Sequence, residues 1–221
     1  MHELKQTKLF LEIGIAGMNS SIKEIVYSKN VIEFATIAKE YTAFLEQSAN
    51  FEPSDFINKT LKLLSLLYLK TNLLPTVEPI NEEGNEKFVT EFDWEFIRNG
   101  VQMQMADNDI YLDFFDSEMN ETPEPVSCSV SENLADIYQD LKDFLEIYQL
   151  GNEDLSHDAI FECYESFKNY WGFKLVNSLR ILHHLNYNEK EIKFSASEKQ
   201  IRKETDDWFI SRAQQDFQSN D

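Results

Sequence analysis

Glycine and proline are scarce, 6 and 5 in 221 residues. Chains of many short strands joined by tight turns draw heavily on both, so that architecture is excluded. So few glycines also leave no phosphate-cradling loop and no dinucleotide fingerprint. Cysteine is scarcer still. Cys128 and Cys163 give neither a disulfide framework nor a zinc-ligand spacing, which fits the reducing cytoplasm. Cys128 stands between Ser127 and Ser129 in an expected loop, and Cys163 falls on the apolar face of an expected helix. Positive charge is the next shortage. Twenty basic residues against 40 acidic ones leave a net charge of -20. Nucleic acid and anionic lipid surfaces both need clustered Lys and Arg, so neither is a partner. Even the basic stretch 190–203 is interrupted by Glu191 and Glu198.

No apolar run reaches the roughly 18 residues of a membrane helix. The richest, residues 61–74, is broken by Lys62, Ser65, Lys70 and Asn72. At the N-terminus Lys5 and Lys8 precede Leu9-Phe10-Leu11, but Glu12 ends that run and no small-residue cleavage site comes after it. Met18 opens a second plausible start. Residues 1–17 are therefore read as a variable extension and 18–217 as a single helical domain. Nucleophile motifs are also missing. There is no Gly-x-Ser-x-Gly, no Cys–His pairing and no supported Ser-x-x-Lys, so no catalytic residue or cofactor is assigned.

What is present is helical periodicity. Asn30 caps a stripe of Val31, Phe34, Ala35, Ala38, Tyr41 and Leu45, and that helix runs to about Ala49. A second helix runs from Ser54 or Asp55 to Leu74, apolar on more than one face through Phe56, Ile57, Leu61, Leu64 and Leu67. Residues 75–89 lack period and read as an acidic loop. Thr90 and Asp93 have the spacing of a capping box and open a helix towards Met105, with a kink or interruption allowed at Gly100. Asp107-Asn108-Asp109 breaks it, residues 110–115 read as a short helix, and 117–128 as loop. Ser129 with Glu132 caps the clearest helix, 131–150, whose Leu134, Ile137, Tyr138, Leu141, Leu145 and Tyr148 form one stripe. Gly151 stands at its left-handed C-cap position. Residues 154–187 form one long helix or two, with Ile160, Cys163, Phe167, Trp171, Leu175, Leu179 and Leu182 apolar and Gly172 marking close helix packing or a kink. A last amphipathic segment, 198–217, carries Ile201, Trp208, Phe209 and Ile210. The fold class is all-α, an irregular bundle of six to eight helices around a single core.

Several stretches carry a family likeness. Tyr27-Ser28-Lys29-Asn30-Val31-Ile32-Glu33-Phe34, Lys59-Thr60-Leu61-Lys62-Leu63-Leu64, the run from Ser131 through Leu134, Ile137 and Leu141 to Phe144, and Tyr170-Trp171-Gly172 with Lys174-Leu175-Val176-Asn177 resemble an uncharacterised Bacteroidota family known only as a domain of unknown function. The resemblance spans roughly residues 18–187. It implies a helical cytoplasmic protein and carries no activity, cofactor or site residue with it.

Four constellations bear on chemistry. Asp107, Asp109, Asp113 and Asp116 lie among Trp94, Phe96, Tyr111, Phe114 and Phe115. A calcium loop is ruled out, because Leu112 occupies the position of the required glycine. The alternatives are an aromatic groove with an acidic rim, or core aromatics beside solvated acids. Glu162-x-x-Glu165 and Glu204-x-x-Asp207 have the residue types of helical magnesium-dependent phosphohydrolases, without their phosphate-binding lysines. Glu132, Asp136, Asp140 and Asp143 form a carboxylate stripe, read first as a solvated face. His183 and His184 point about 100° apart on a helix and do not share a metal; with His157 they read as packing or surface residues. The leading reading is a non-enzymatic interaction or regulatory module binding a basic or amphipathic protein segment through Asp107, Asp109, Tyr111, Asp113, Phe115 and Asp116. The alternatives are an all-helical metal-dependent nucleotide phosphohydrolase using Glu162, Glu165, Glu204 and Asp207, and a structural protein without a ligand.

Overall fold

A computed structural model of the chain describes residues 21–81, 83–113 and 125–188. The extension 1–17 and the segment 198–217 expected from the sequence lie outside the described residues. A helical stretch, 21–26, leads into α1 (Lys29–Glu46), then a 3-10 turn (Ser48–Asn50) and α2 (Pro53–Thr71). Pro53 does more than stop the preceding helix: it occupies the first turn of α2, where its missing N–H costs nothing. Next come α3 (Glu91–Met105), the strands β1 (Ile110–Asp113) and β2 (Val126–Ser129), α4 (Val130–Gln149) and α5 (Glu153–Ser166). A π turn (Phe167–Trp171) joins α5 to α6 (Gly172–Tyr187) without a break.

One apolar core runs through the bundle. α4 is its centre, with Leu134, Ile137, Leu141, Phe144 and Leu145 buried and α1, α3, α5 and α6 packed around it. Tyr41 of α1 is fully buried and its hydroxyl donates to the Leu134 carbonyl at 2.9 Å. Phe167 and Trp171 are both buried, stacked edge-on with ring centres 4.7 Å apart. α2 and α6 pack against each other, and the Asn58 amide donates to Asn186 near one end of their seam.

The predicted Asn30 cap is corrected, since α1 begins at Lys29 with Ser28 as its N-cap and no side-chain cap bond, whereas the caps of α3 and α4 are in place. Thr90 and Asp93 form a reciprocal capping box on α3, and Ser129 accepts the Glu132 N–H of α4. Gly151 has φ +69° beyond α4. α3 runs uninterrupted through Gly100, whose missing Cβ leaves room for the Ser48 hydroxyl. The close contact at Gly172 is local to its own helical stretch and not one between packed helices. The Gly172 N–H closes the π turn onto the Phe167 carbonyl, and a Cβ there would meet both that carbonyl and the Phe167 ring.

The hairpin corrects two expectations. Residues 110–115 do not open a helix: Ile110–Asp113 is a strand paired antiparallel with Val126–Ser129, Tyr111 opposite Cys128. Cys128 is therefore on a strand, not in a loop. The cause is long-range pairing: Tyr111 turns inward while Ile110 and Leu112 stay exposed, a period of two too short to stand out in the sequence. The described residues of the acidic loop 75–89 lack regular structure, as read, and form a strap whose backbone N–H groups at Ile80, Asn81, Asn85, Phe88 and Val89 are tied down by carboxylates of α4 and α5.

Candidate functional site

The segment singled out in the sequence divides between structure and surface. Asp109 is buried and serves the start of α4. Its carboxylate accepts the Ser131 N–H at 2.7 Å and the hydroxyls of Ser131 and Ser129 at 2.8 and 2.9 Å, while its backbone carbonyl accepts the Val130 N–H. With Ser129 capping Glu132, the first three N–H groups of α4 all have partners. Tyr111 is also buried, its hydroxyl accepting from Asn133 at 2.8 Å. Asp113 accepts from Asn177 and pairs with Arg180 of α6. Of the described members, only Asp107 is exposed. Phe115 and Asp116, with Phe114, lie outside the described residues. The structure thus does not gather Asp109 and Tyr111 on a docking rim: both hold the hairpin to α4.

Apart from the exposed Glu132, the carboxylate stripe of α4 is not a solvated face either. The strap between α2 and α3 lies over α4 and α5 and is held by carboxylates accepting its backbone N–H groups. Asp143 accepts from Phe88 and Val89, Asp158 from Ile80 and Asn81, and Glu162 from Asn85. Charge-assisted bonds of this kind are the strong ones. Asp136 collects the Trp94 indole N–H, the Tyr170 hydroxyl and the Lys174 ammonium. A cleft of about 300 Å³ lies between α4 and α5 at this strap, lined by Lys87, Asp140, Asp143, Glu162, Cys163 and Glu165 among others. Burial raises the Asp140 carboxyl despite a hydrogen bond from Ser166, and burial raises the Cys163 thiol well above its usual value, which leaves that thiol a poor nucleophile.

Glu162 and Glu165 do share this cleft, but each already has a partner: Glu162 holds Asn85 and Lys87, and Glu165 pairs with Lys168. Glu204 and Asp207 lie outside the described residues. Among the described residues no three His, Cys, Asp or Glu side chains are grouped closely enough to hold a metal ion. No helix among them is long and apolar enough to cross a membrane.

An exposed apolar surface lies on α3, of which the sequence reading singles out only Phe96. Its inner side buries Ile97, Gly100, Val101, Gln104 and Met105. Its outer side carries Phe92, Phe96 and Met103, which are 77%, 58% and 65% exposed. At 100° per residue these three fall within about 40° of one another, a second apolar stripe that nothing in the chain covers among the described residues. Glu91 and Glu95 are exposed beside it and Asp107 lies just beyond its end. Spacing four and seven residues apart was visible in the sequence. The competing use of the aromatics as core hid it, since Trp94 and Ile97 point the other way.

The family described as Domain of unknown function (DUF5063) matches residues 25–188. The chain is similar to a solved structure, protein BF1032 from Bacteroides fragilis, a structural-genomics target. The two are 41% identical, with a TM-score of 0.68, and the match covers 76% of this chain and 99% of that one. No curated protein matches the chain.

Proposed function

Since this chain belongs to the family described as Domain of unknown function (DUF5063), we propose its function from its own surface: a non-enzymatic helical module that binds a partner protein through α3. The exposed stripe of Phe92, Phe96 and Met103 carries this reading. Large apolar side chains aligned on one helix face cost hydration when uncovered, and such patches mark interaction sites. The acids beside the stripe, Glu91, Glu95 and Asp107, together with the net charge of -20, favour a basic amphipathic segment. Charge would speed the encounter and the aromatics would supply most of the affinity. From the segment first singled out, this reading keeps Asp107 as part of the rim and gives Asp109 and Tyr111 structural roles.

A photo-reactive phenylalanine analogue at position 96 of the intact chain, in the cells that express it, tests the reading. The expected adduct is with a Lys- and Arg-rich segment of another protein. It should be lost in Phe92→Glu and weakened by added salt. Absence of any protein adduct, or adducts only with further copies of this chain, would refute it.

A further inference from the structure

The outer face of α3 holds a fourth residue. Asn99 is exposed between Phe96 and Met103, and at 100° per residue Phe92, Phe96, Asn99 and Met103 fall within about 60° of one another. Their spacings alternate four, three and four, the pattern of a coiled-coil seam with one polar member. Among the described residues nothing covers this seam over its length of roughly 16 Å. Glu91 and Glu95 run along one flank, exposed and with no ion pair among the described residues. The α3 backbone commits its N–H and C=O groups to its own helix, so the seam offers no edge to an extended partner. A strand laid here would bury its own backbone polar groups unmatched, whereas a helix satisfies them internally.

Resting on the reading of α3 as the docking face, we infer that the partner segment is a single α-helix lying lengthwise along α3. Its apolar residues alternate at spacings of three and four, Lys or Arg line the edge that meets Glu91 and Glu95, and a hydrogen-bonding side chain stands opposite Asn99. Side chains spaced this way interlock when two helices run within about 20° of each other, which keeps all four seam residues in contact. A steep crossing would leave Phe92 or Met103 uncovered. Asn99 supplies register more than affinity. Its amide loses water in the contact and regains hydrogen bonds only in the alignment that brings a polar side chain to it. A partner slipped by one heptad keeps the apolar contacts and leaves that amide unmet.

Photo-cross-linking at the two ends of the seam tests this in the intact chain, in the cells that express it. The phenylalanine analogue stands at position 92 in one variant and at position 103 in another. Both should mark the same segment of another protein, at residues about 11 apart, because two helices advance equally per residue. Adduct sites only about 5 residues apart would mark an extended segment, which advances about 3.3 Å per residue, and would overturn the inference. In both variants Asn99→Leu should keep the adducts and add a second set one heptad along the partner. A single unchanged register in Asn99→Leu would overturn the inference as well. The analogue at position 96 separates the two readings. No protein adduct there removes α3 as a docking face altogether, whereas an adduct there without adducts from both ends overturns only the lengthwise helix.

Discussion

Ala106 carries more strain than any neighbour in the turn that takes α3 into the hairpin. Its φ of 47° and ψ of -125° are the angles of a first turn position that glycine usually fills, and Ala106 is the one non-glycine residue with positive φ among the described residues. Ala106→Gly should therefore stabilise the fold, by about 1 kcal/mol after the extra chain entropy of glycine is counted. Denaturant unfolding measures this, and a destabilised variant would show that the turn is not strained. Asp140 makes a second residue-scale case, with the sign set by its raised pKa. Burial comes first among the causes, and the Ser166 hydrogen bond opposes it. The folded chain thus holds the Asp140 proton more tightly than the unfolded chain does. Its contribution to stability declines as pH climbs from the ordinary value of 3.8 through the higher folded one. Asp140→Asn should melt above the wild type at neutral pH, and the gap should close as pH falls below the ordinary carboxylate range. Thermal melts across that range would contradict this if the gap did not vary with pH.

Among the elements, the strap separates what the sequence disclosed from what it withheld. It joins α2 to α3 without regular structure among its described residues, and the N–H groups of Ile80, Asn81, Asn85, Phe88 and Val89 find partners in carboxylates that come 54 to 78 residues later. Asp143→Ala removes the acceptor shared by Phe88 and Val89. Hydrogen exchange at those two amides should quicken by about an order of magnitude, the equivalent of one lost bond, while Ile80 and Asn81 stay protected by Asp158. A uniform rise across α4 would mean instead that Asp143 supports the helix. Helices with caps and stripes, such as α3 behind Thr90 and α4 behind Ser129, were legible because their signals are local, within four residues. The hairpin and the strap were not, because both are settled by partners far along the chain. The same limit concealed the site. Asp109 and an exposed acid look alike in sequence, and only the positions of Ser129 and Ser131 in space make Asp109 an internal anchor. Phe96 and Ile97 are neighbours in sequence, yet one faces solvent and the other the core.

At the scale of the whole molecule, the negative charge is partly put to internal use. Asp109 fastens the hairpin to α4, Asp113 reaches α6, and Asp143, Asp158 and Glu162 fasten the strap, so these acids hold distant segments together instead of only keeping the surface wet. The π turn acts at this scale too. The buried positions Cys163, Phe167, Trp171 and Leu175 succeed one another in three steps of four, longer than the 3.6 residues of an α-helical turn. The π turn absorbs the surplus residue and lets α5 and α6 keep facing the same core. In terms of insertions and deletions, it is a store of register. Removing one of the exposed residues Lys168, Asn169 or Tyr170 would convert the turn to ordinary α-helix and leave both flanks correctly oriented. The same deletion within α6 would rotate the two sides relative to each other by about 100°. A cut between Leu175 and Leu182 would carry Leu182 and Leu185 out of the core and would pull the end of the α2–α6 seam apart. Along the whole of 153–187, tolerance to a change in chain length is concentrated in those five residues.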